Sequence, residues 1–184
     1  PVMIAEGAFD ALLRANEEFA ATFTDGGMPA RAARELAVIT CMDSRIDPFR
    51  ILGLSAGDAK ILRNAGARVT DDVLRTLVLA VYLLGVERVL VMPHTHCRMA
   101  ESTEQEIHAI ITEQFAVDTR SLDFHTDPDQ VAALKRDLVK VRAYPFIPDS
   151  VAVGGAIFDV GTGRLVPVPL DGEATPSAAS AVRP

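Results

Sequence analysis

The sequence predicts a single α/β domain with a mainly parallel central β-sheet flanked by helices. Short apolar runs alternate along the chain with longer segments in which apolar residues recur at helical spacing. The apolar runs do not alternate with polar residues, which is typical of strands buried on both faces of a parallel sheet. With 184 residues, 49% of them hydrophobic, the chain is long enough to form one full core, and it shows no internal repeat.

The first half of the chain supplies a helix, two strands and a second helix. Residues 5–24 carry apolar side chains at helical spacing, and the DGGMP that follows has turn chemistry. Strands are predicted over residues 36–40 and 59–62. A helix is predicted over 70–84, because its first residue, a threonine, suits an N-cap, two aspartates occupy its first turn, and Gly85 follows as a stop signal.

The second half supplies the rest of the sheet and two more helices. A strand rich in valine and leucine is predicted over residues 88–92, and helices over 99–114 and 129–141. Two late strands are expected over 151–158 and 164–168, around the turn DVGTG.

The chain is expected to be one domain over residues 1–169 followed by a tail. Residues 170–184 are small, polar and proline-bearing, so we expect a disordered C-terminal tail there.

Composition and charge exclude several kinds of partner. A formal net charge of −7, with no basic stripe, argues against nucleic-acid binding. No apolar run approaches the ~18 residues of a membrane span, and no basic segment leads into an apolar signal core. Two cysteines could form at most one disulfide. We therefore expect a cytoplasmic protein, with free or metal-bound thiols and without a nucleic-acid or membrane partner.

Both cysteines of the chain follow predicted strands. Cys41 lies in AVITCMDSRID, and Cys97 lies in VLVMPHTHCRMA with His94 three residues before it. In α/β folds, ligand-binding sites lie beyond the carboxyl ends of the strands. Thiolate and imidazole suit zinc, and catalytic zinc takes three protein ligands and leaves a position for water. The pattern predicts one Zn²⁺ site formed by these three side chains.

Each signal also has a simpler interpretation. A buried cysteine near a strand end is commonly just a small hydrophobic residue. Asp43 and Arg45, which would face the same side as Cys41 in an extended segment, could be a surface ion pair worth about 0.2–1 kcal/mol. RNAGARV, residues 63–69, has one glycine and so favours a pocket wall over a phosphate loop. His108 and His125 fall in helix and loop patterns and are interpreted as non-functional. The conjunction of both cysteines with a histidine and an Asp-x-Arg favours the metal site.

Four motifs carry a family resemblance. CMDSR (41–45), RNAG (63–66), the TDD helix start (70–72) and HTxC (94–97) resemble, in order and spacing, the β-class carbonic anhydrases, over residues 8–168. The resemblance implies Zn²⁺ on Cys41, His94 and Cys97, and a catalytic Asp43–Arg45 dyad beside the position left for water. It also implies interconversion of CO₂ and hydrogencarbonate. The protein would be a homodimer or higher homo-oligomer whose N-terminal helix packs on the partner, with the sites near the interface.

The second motif departs from the family's usual form. HTDCG is usual, whereas this chain has HTHCR. Arg98 therefore replaces a glycine at a helix start, where a backbone amide is expected to face the hydrogencarbonate anion. We expect Arg98 and Gly66 to bind substrate. An apolar pocket wall is expected from three further side chains, Phe49, Val69 and Leu74. Two alternatives stay open, namely a hydrolase of carbonyl sulfide or carbon disulfide on the same scaffold, and a zinc-binding pseudoenzyme disabled at Arg98.

Overall fold

The computed structural model describes residues 7–170, and it confirms an α/β architecture with a mostly parallel sheet. Five strands lie in the order β2-β1-β3-β4-β5. Strands β1 to β4 pair in parallel, and β5 is antiparallel to β4. Their bounds are β1 Leu36–Cys41, β2 Ala59–Asn64, β3 Arg88–Met92, β4 Ala152–Phe158 and β5 Leu165–Pro167. The predicted tail, from residue 171 onward, lies outside the described residues.

Six α-helices and one 3₁₀ turn are formed in the described part of the chain. Their bounds are α1 Asp10–Ala21, α2 Pro48–Leu52, the 3₁₀ turn Ala65–Ala67, α3 Asp71–Leu84, α4 Arg98–Glu101, α5 Glu104–Phe115 and α6 Gln130–Arg142. The predicted caps of α3 are confirmed, because the Thr70 side chain accepts a hydrogen bond from the Val73 amide and Gly85 adopts a left-handed φ of 71°. None of the helices in residues 7–170 is long and apolar enough to cross a membrane.

The helices differ from the prediction at two places, one helix that was not predicted and one that is divided. Helix α2 was missed, although Asp47 caps it by accepting from the Phe49 and Arg50 amides and a proline follows at the first helical position. The helix predicted over residues 99–114 is two helices. Ser102 is extended, and Thr103 starts α5 with a reciprocal capping box to Glu106. The Thr-x-x-Glu pattern was present in the sequence and signals this restart.

The sheet separates two apolar clusters. The larger cluster includes Ile39 and Val91 of the sheet together with Leu77 of α3 and Leu138 of α6, all almost fully buried. The smaller cluster, around Val38 and Met92, covers the other face. Strand β1 is therefore buried on both faces, as its unbroken apolar run predicts.

Helix α1 differs from the other long helices because none of its residues is buried. Phe9, Leu12, Leu13 and Phe19 are 49%, 67%, 45% and 60% exposed. An apolar helix face of this kind is stable in water only when another surface covers it.

Candidate metal centre

The sheet topology brings the two cysteine segments together. Strands β1 and β3 are neighbours in register, with Thr40 opposite Met92, so their carboxyl ends lie side by side. Cys41 is the last residue of β1, rather than the first residue after it as predicted. His94 lies two residues beyond β3, where it bridges to Phe158, and Cys97 precedes α4. One ligand atom from each of the three side chains lies within 4.8 Å of the others.

The three side chains fit a bound metal. All of them are buried, and both cysteines are free, with their Sγ atoms 3.9 Å apart. The Nδ1 atom of His94 lies 2.8 Å from the Thr95 carbonyl oxygen, to which it donates, whereas the buried Nε2 atom has no hydrogen-bond partner in the described residues. A hydrogen bond from Nδ1–H to a carbonyl fixes the neutral tautomer in which Nε2 carries no proton, so the Nε2 lone pair can bind a metal. Two thiols and this nitrogen form a soft Cys₂His donor set of the kind that zinc accepts.

The charges at the centre also favour a cation. The Sγ atoms are too close for two unscreened thiolates, so the hydrogen bond between them lowers the pKa of Cys41 and raises the pKa of Cys97. Burial lowers the pKa of His94, but the neighbouring Cys41 thiol, the Thr95 carbonyl and the Asp43 carboxylate outweigh it, and the net shift is upward. The pocket thus concentrates thiolate charge in a poorly solvated place, and a metal cation is the group that neutralises it.

Asp43 and Arg45 form a tight pair beside these donors. The Arg45 amide and Nε donate to Asp43 Oδ1 at 2.9 and 3.0 Å, and Nη2 donates to Oδ2 at 2.7 Å. These hydrogen bonds from Arg45 hold the pKa of the Asp43 carboxyl well below its usual range, so it is a carboxylate. Asp43 Oδ2 lies 3.8 Å from His94 Nε2. The carboxylate therefore stands at the open side of the ligand cluster.

The local geometry of this pair differs from the extended segment that was expected. The chain turns after Asp43, with the Ile46 amide donating to the Asp43 carbonyl at 3.0 Å. The carboxylate caps the Arg45 amide within that turn. Arg45 also donates to the His96 carbonyl at 3.0 Å, which ties the first cysteine segment to the second.

Gly66 lies directly against a candidate ligand. Its amide donates to the Cys41 thiol at 3.4 Å. The residue adopts φ +81°, and an added Cβ would lie 3.0 Å from the Met99 side chain, so only glycine fits without strain. In the described chain Gly66 therefore contacts a candidate ligand, and a contact with substrate stays a prediction.

Arg98, in contrast, is exposed at the first position of α4. It lines a surface cavity together with Asp43, Arg45, His96 and Glu101. Within residues 7–170 no hydrogen bond or ion pair engages its guanidinium, whereas His96 pairs with Glu101 at 3.0 Å. A free cation thus stands in the cavity that Asp43 shares.

The apolar surroundings of the thiols were predicted wrongly. The apolar side chains packed with Cys41 and Cys97 are Ala67, Met99 and Ala100. Of the three expected wall residues, Val69 and Leu74 belong to the larger core cluster, and Phe49 lines a groove formed with β2 and α3. Met99 and Ala100 directly follow the HTHCR motif, and this position in the sequence could have predicted that they pack beside Cys97.

The two remaining histidines support a loop. His108 lies 2.9 Å from the Thr119 hydroxyl and packs against the Phe124 ring. The His125 carbonyl accepts a hydrogen bond from Arg68, whose guanidinium is paired with the buried Asp137.

Comparisons with known proteins agree with this geometry. A family model described as carbonic anhydrase matches residues 36–165. The chain is 34% identical to β-carbonic anhydrase 1 of Mycobacterium tuberculosis over 157 residues, which cover 85% of this chain and 94% of that protein. It is 31% identical to a carbon disulfide hydrolase of Acidithiobacillus thiooxidans, with 73% of this chain and 77% of that protein covered. The solved carbonic anhydrase of Streptococcus mutans superposes with a TM-score of 0.83 at 36% identity, covering 90% of this chain and 100% of that chain.

Proposed function

The chain belongs to the β-carbonic anhydrase family, and on this premise we propose that it hydrates CO₂ reversibly to hydrogencarbonate and a proton, with Zn²⁺ held by Cys41, His94 and Cys97. One observation carries the proposal: the buried His94 Nε2, which has no hydrogen-bond partner in residues 7–170, lies beside two free thiols, with the Asp43 carboxylate 3.8 Å away. Zinc bound there would supply Lewis acidity that brings deprotonation of water toward neutral pH.

The residues around that site have distinct tasks in this reaction. Asp43, kept ionised by Arg45, accepts a hydrogen bond from the attacking water nucleophile and orients its lone pair toward the substrate carbon. Arg45 donates hydrogen bonds to both carboxylate oxygens of Asp43, and this prevents Asp43 from becoming a metal ligand itself. Ala67 and Met99 present apolar surface, which suits a linear, uncharged substrate. Gly66 supports the Cys41 thiolate through its amide.

The test is stopped-flow CO₂ hydration by the purified, zinc-loaded protein. Carbon disulfide hydrolysis is the second candidate, because hydrolases of that substrate are among the relatives at 31% identity. Sulfide release from carbon disulfide and from carbonyl sulfide, measured on the same preparation, decides between the two. A kcat/KM for either sulfur substrate above that for CO₂ would reverse our assignment, and inactivity on all three would favour the pseudoenzyme.

Arg98 is proposed to bind the anionic product too strongly. No group in residues 7–170 pairs with its guanidinium, which lines the cavity beside Asp43 and so favours hydrogencarbonate and other anions in the ground state. Tighter binding of the ground state does not speed the chemical step. Slow release of the bound anion lowers kcat, so we expect Arg98→Gly to raise the kcat for CO₂ hydration severalfold and to weaken inhibition by chloride. Arg98→Lys, which keeps the charge, is the matched control and should stay inhibited. A kcat of Arg98→Gly within roughly twofold of wild type would mean that the side chain is neutral.

We also propose that α1 packs on a second copy of the chain, in a cytoplasmic homodimer or higher homo-oligomer. The exposed apolar face of α1 needs a cover, and the two free thiols suit a reducing compartment. Leu12→Glu combined with Phe19→Glu should lower the sedimentation mass to about half that of the wild-type dimer. Glu18→Lys, on the opposite side of the same helix, is the control and should sediment as wild type. Unchanged mass in the double variant would contradict this interface.

A further inference from the structure

Arg63 is an arginine close to the metal centre that forms no ion pair in the described chain. It lies on β2, opposite Thr40 of β1. Its Nε donates to the Cys41 carbonyl at 2.9 Å, and its Nη2 donates to the Asp43 carbonyl at 2.7 Å. Both acceptors belong to residues that carry the chemistry of the site.

The segment that Arg63 holds has little other support from the sheet. The pairing of β1 with β3 ends at Thr40 and Met92, so residues 41–43 leave the ladder on that side. On the β2 side, the Met42 amide still donates to the Asn64 carbonyl at 2.9 Å. The Asp43 carbonyl also accepts from the Ile46 amide within its own turn, but that bond does not join it to the sheet. Arg63 ties both carbonyls to β2, because a planar guanidinium fork reaches two carbonyls at once where an ammonium would bond one.

We propose that Arg63 is a positioning residue of the metal centre, which sets the main chain of the segment that carries Cys41 and Asp43. Its task is distinct from that of Arg45, which holds the Asp43 carboxylate and the His96 carbonyl. Arg63 controls the backbone at Cys41 and Asp43, and so controls where the thiolate and the carboxylate stand relative to each other. Residues that orient ligands from outside the first coordination sphere are typically worth about 10–100-fold in affinity or activity.

The experiment compares Arg63→Gln and Arg63→Lys with Arg88→Gln as the matched control. Arg88 is also an arginine at the sheet that donates to a backbone carbonyl, that of Arg34 at 2.6 Å, but it lies at the amino end of β3. Each variant is measured for thermal melting, for zinc release to a chelator, for the absorption spectrum of the Co²⁺-substituted protein and for CO₂ hydration.

We expect Arg63→Gln to melt within a few degrees of Arg88→Gln, yet to release zinc about tenfold faster, to shift the Co²⁺ spectrum and to lose about 10–100-fold in kcat/KM. Arg63→Lys should recover part of each change, because the longer lysine side chain can bring its ammonium to one of the two carbonyls, whereas the glutamine amide is too short to reach them as Arg63 does. A purely structural role would lower the melting temperature and leave the Co²⁺ spectrum unchanged. If Arg63→Gln does not fold, the same comparison is made with Arg63→Lys.

The inference is overturned if zinc release and the Co²⁺ spectrum of the Arg63 variants match those of Arg88→Gln. Its kinetic part rests on the proposed function, but the metal readouts do not. A wild-type protein inactive on CO₂, with zinc release still accelerated in Arg63→Gln, would therefore defeat the proposed reaction and support the positioning role.

Discussion

Replacing Cys97 with serine is expected to remove the metal and, with it, the activity. The wild-type protein should contain about one zinc per chain, and the variant should contain less than roughly a tenth of that, because a neutral hydroxyl is a poor ligand where a buried thiolate was one of three protein donors. CO₂ hydration should fall to the background rate, because the proposed reaction requires the Lewis acidity of the bound metal to activate water. Atomic absorption on the purified protein measures the metal, and stopped-flow measures the rate.

A control for this experiment is available within the same apolar cluster. Ala100→Ser introduces the same hydroxyl beside the thiols without removing a donor, and it should keep its zinc. Cys41→Ser should also lose the metal, because its thiol belongs to the same cluster of three ligand atoms that lie within 4.8 Å of one another. Zinc retained by both cysteine variants would end the ligand assignment.

Arg45→Ala is expected to separate metal binding from catalysis. Zinc should remain, because the ligand atoms belong to other residues, whereas kcat should fall at least about a hundredfold as the freed Asp43 carboxylate loses its orientation and competes for the open position. Metal content and stopped-flow rates measured on the same sample check both parts.

The chain contains a matched control for this pair. Asp118 and Arg120 form the same Asp-x-Arg pair, with the Arg120 amide, Nε and Nη2 donating to the carboxylate at 3.0, 2.9 and 2.7 Å, on an exposed loop. Arg120→Ala should leave the rate unchanged. If Arg45→Ala also leaves the rate unchanged, the Asp43 pair is only structural. Loss of zinc from Arg45→Ala would mean instead that Arg45 holds the fold of the loop.

Local patterns were sufficient for most elements of the fold. The cap at Thr70, the stop at Gly85 and the unbroken apolar run of β3 each depend on neighbours within a few residues, and each was confirmed. The misses were also local: the Asp47–Pro48 start of α2 and the Thr103 capping box were visible in the sequence but not used. The starts of α2 and α5 are therefore encoded by local capping residues, and tertiary contacts are not needed to predict them.

Periodicity, capping and ligand chemistry depend on short stretches of chain, and these local patterns predict the fold class, the strands and the residue types of the site. They do not show which of two Asp-x-Arg pairs lies at the metal centre, because that depends on the packing of the sheet. The Asp43–Arg45 and Asp118–Arg120 pairs have nearly the same internal geometry, but only Asp43 lies 3.8 Å from His94 Nε2. The parallel pairing of β1 with β3 creates that proximity, and the pairing of β1 with β2 brings Arg63 to the Cys41 and Asp43 carbonyls. Contacts between residues so distant in the chain depend on how strands are ordered in the sheet, which no short stretch of sequence encodes.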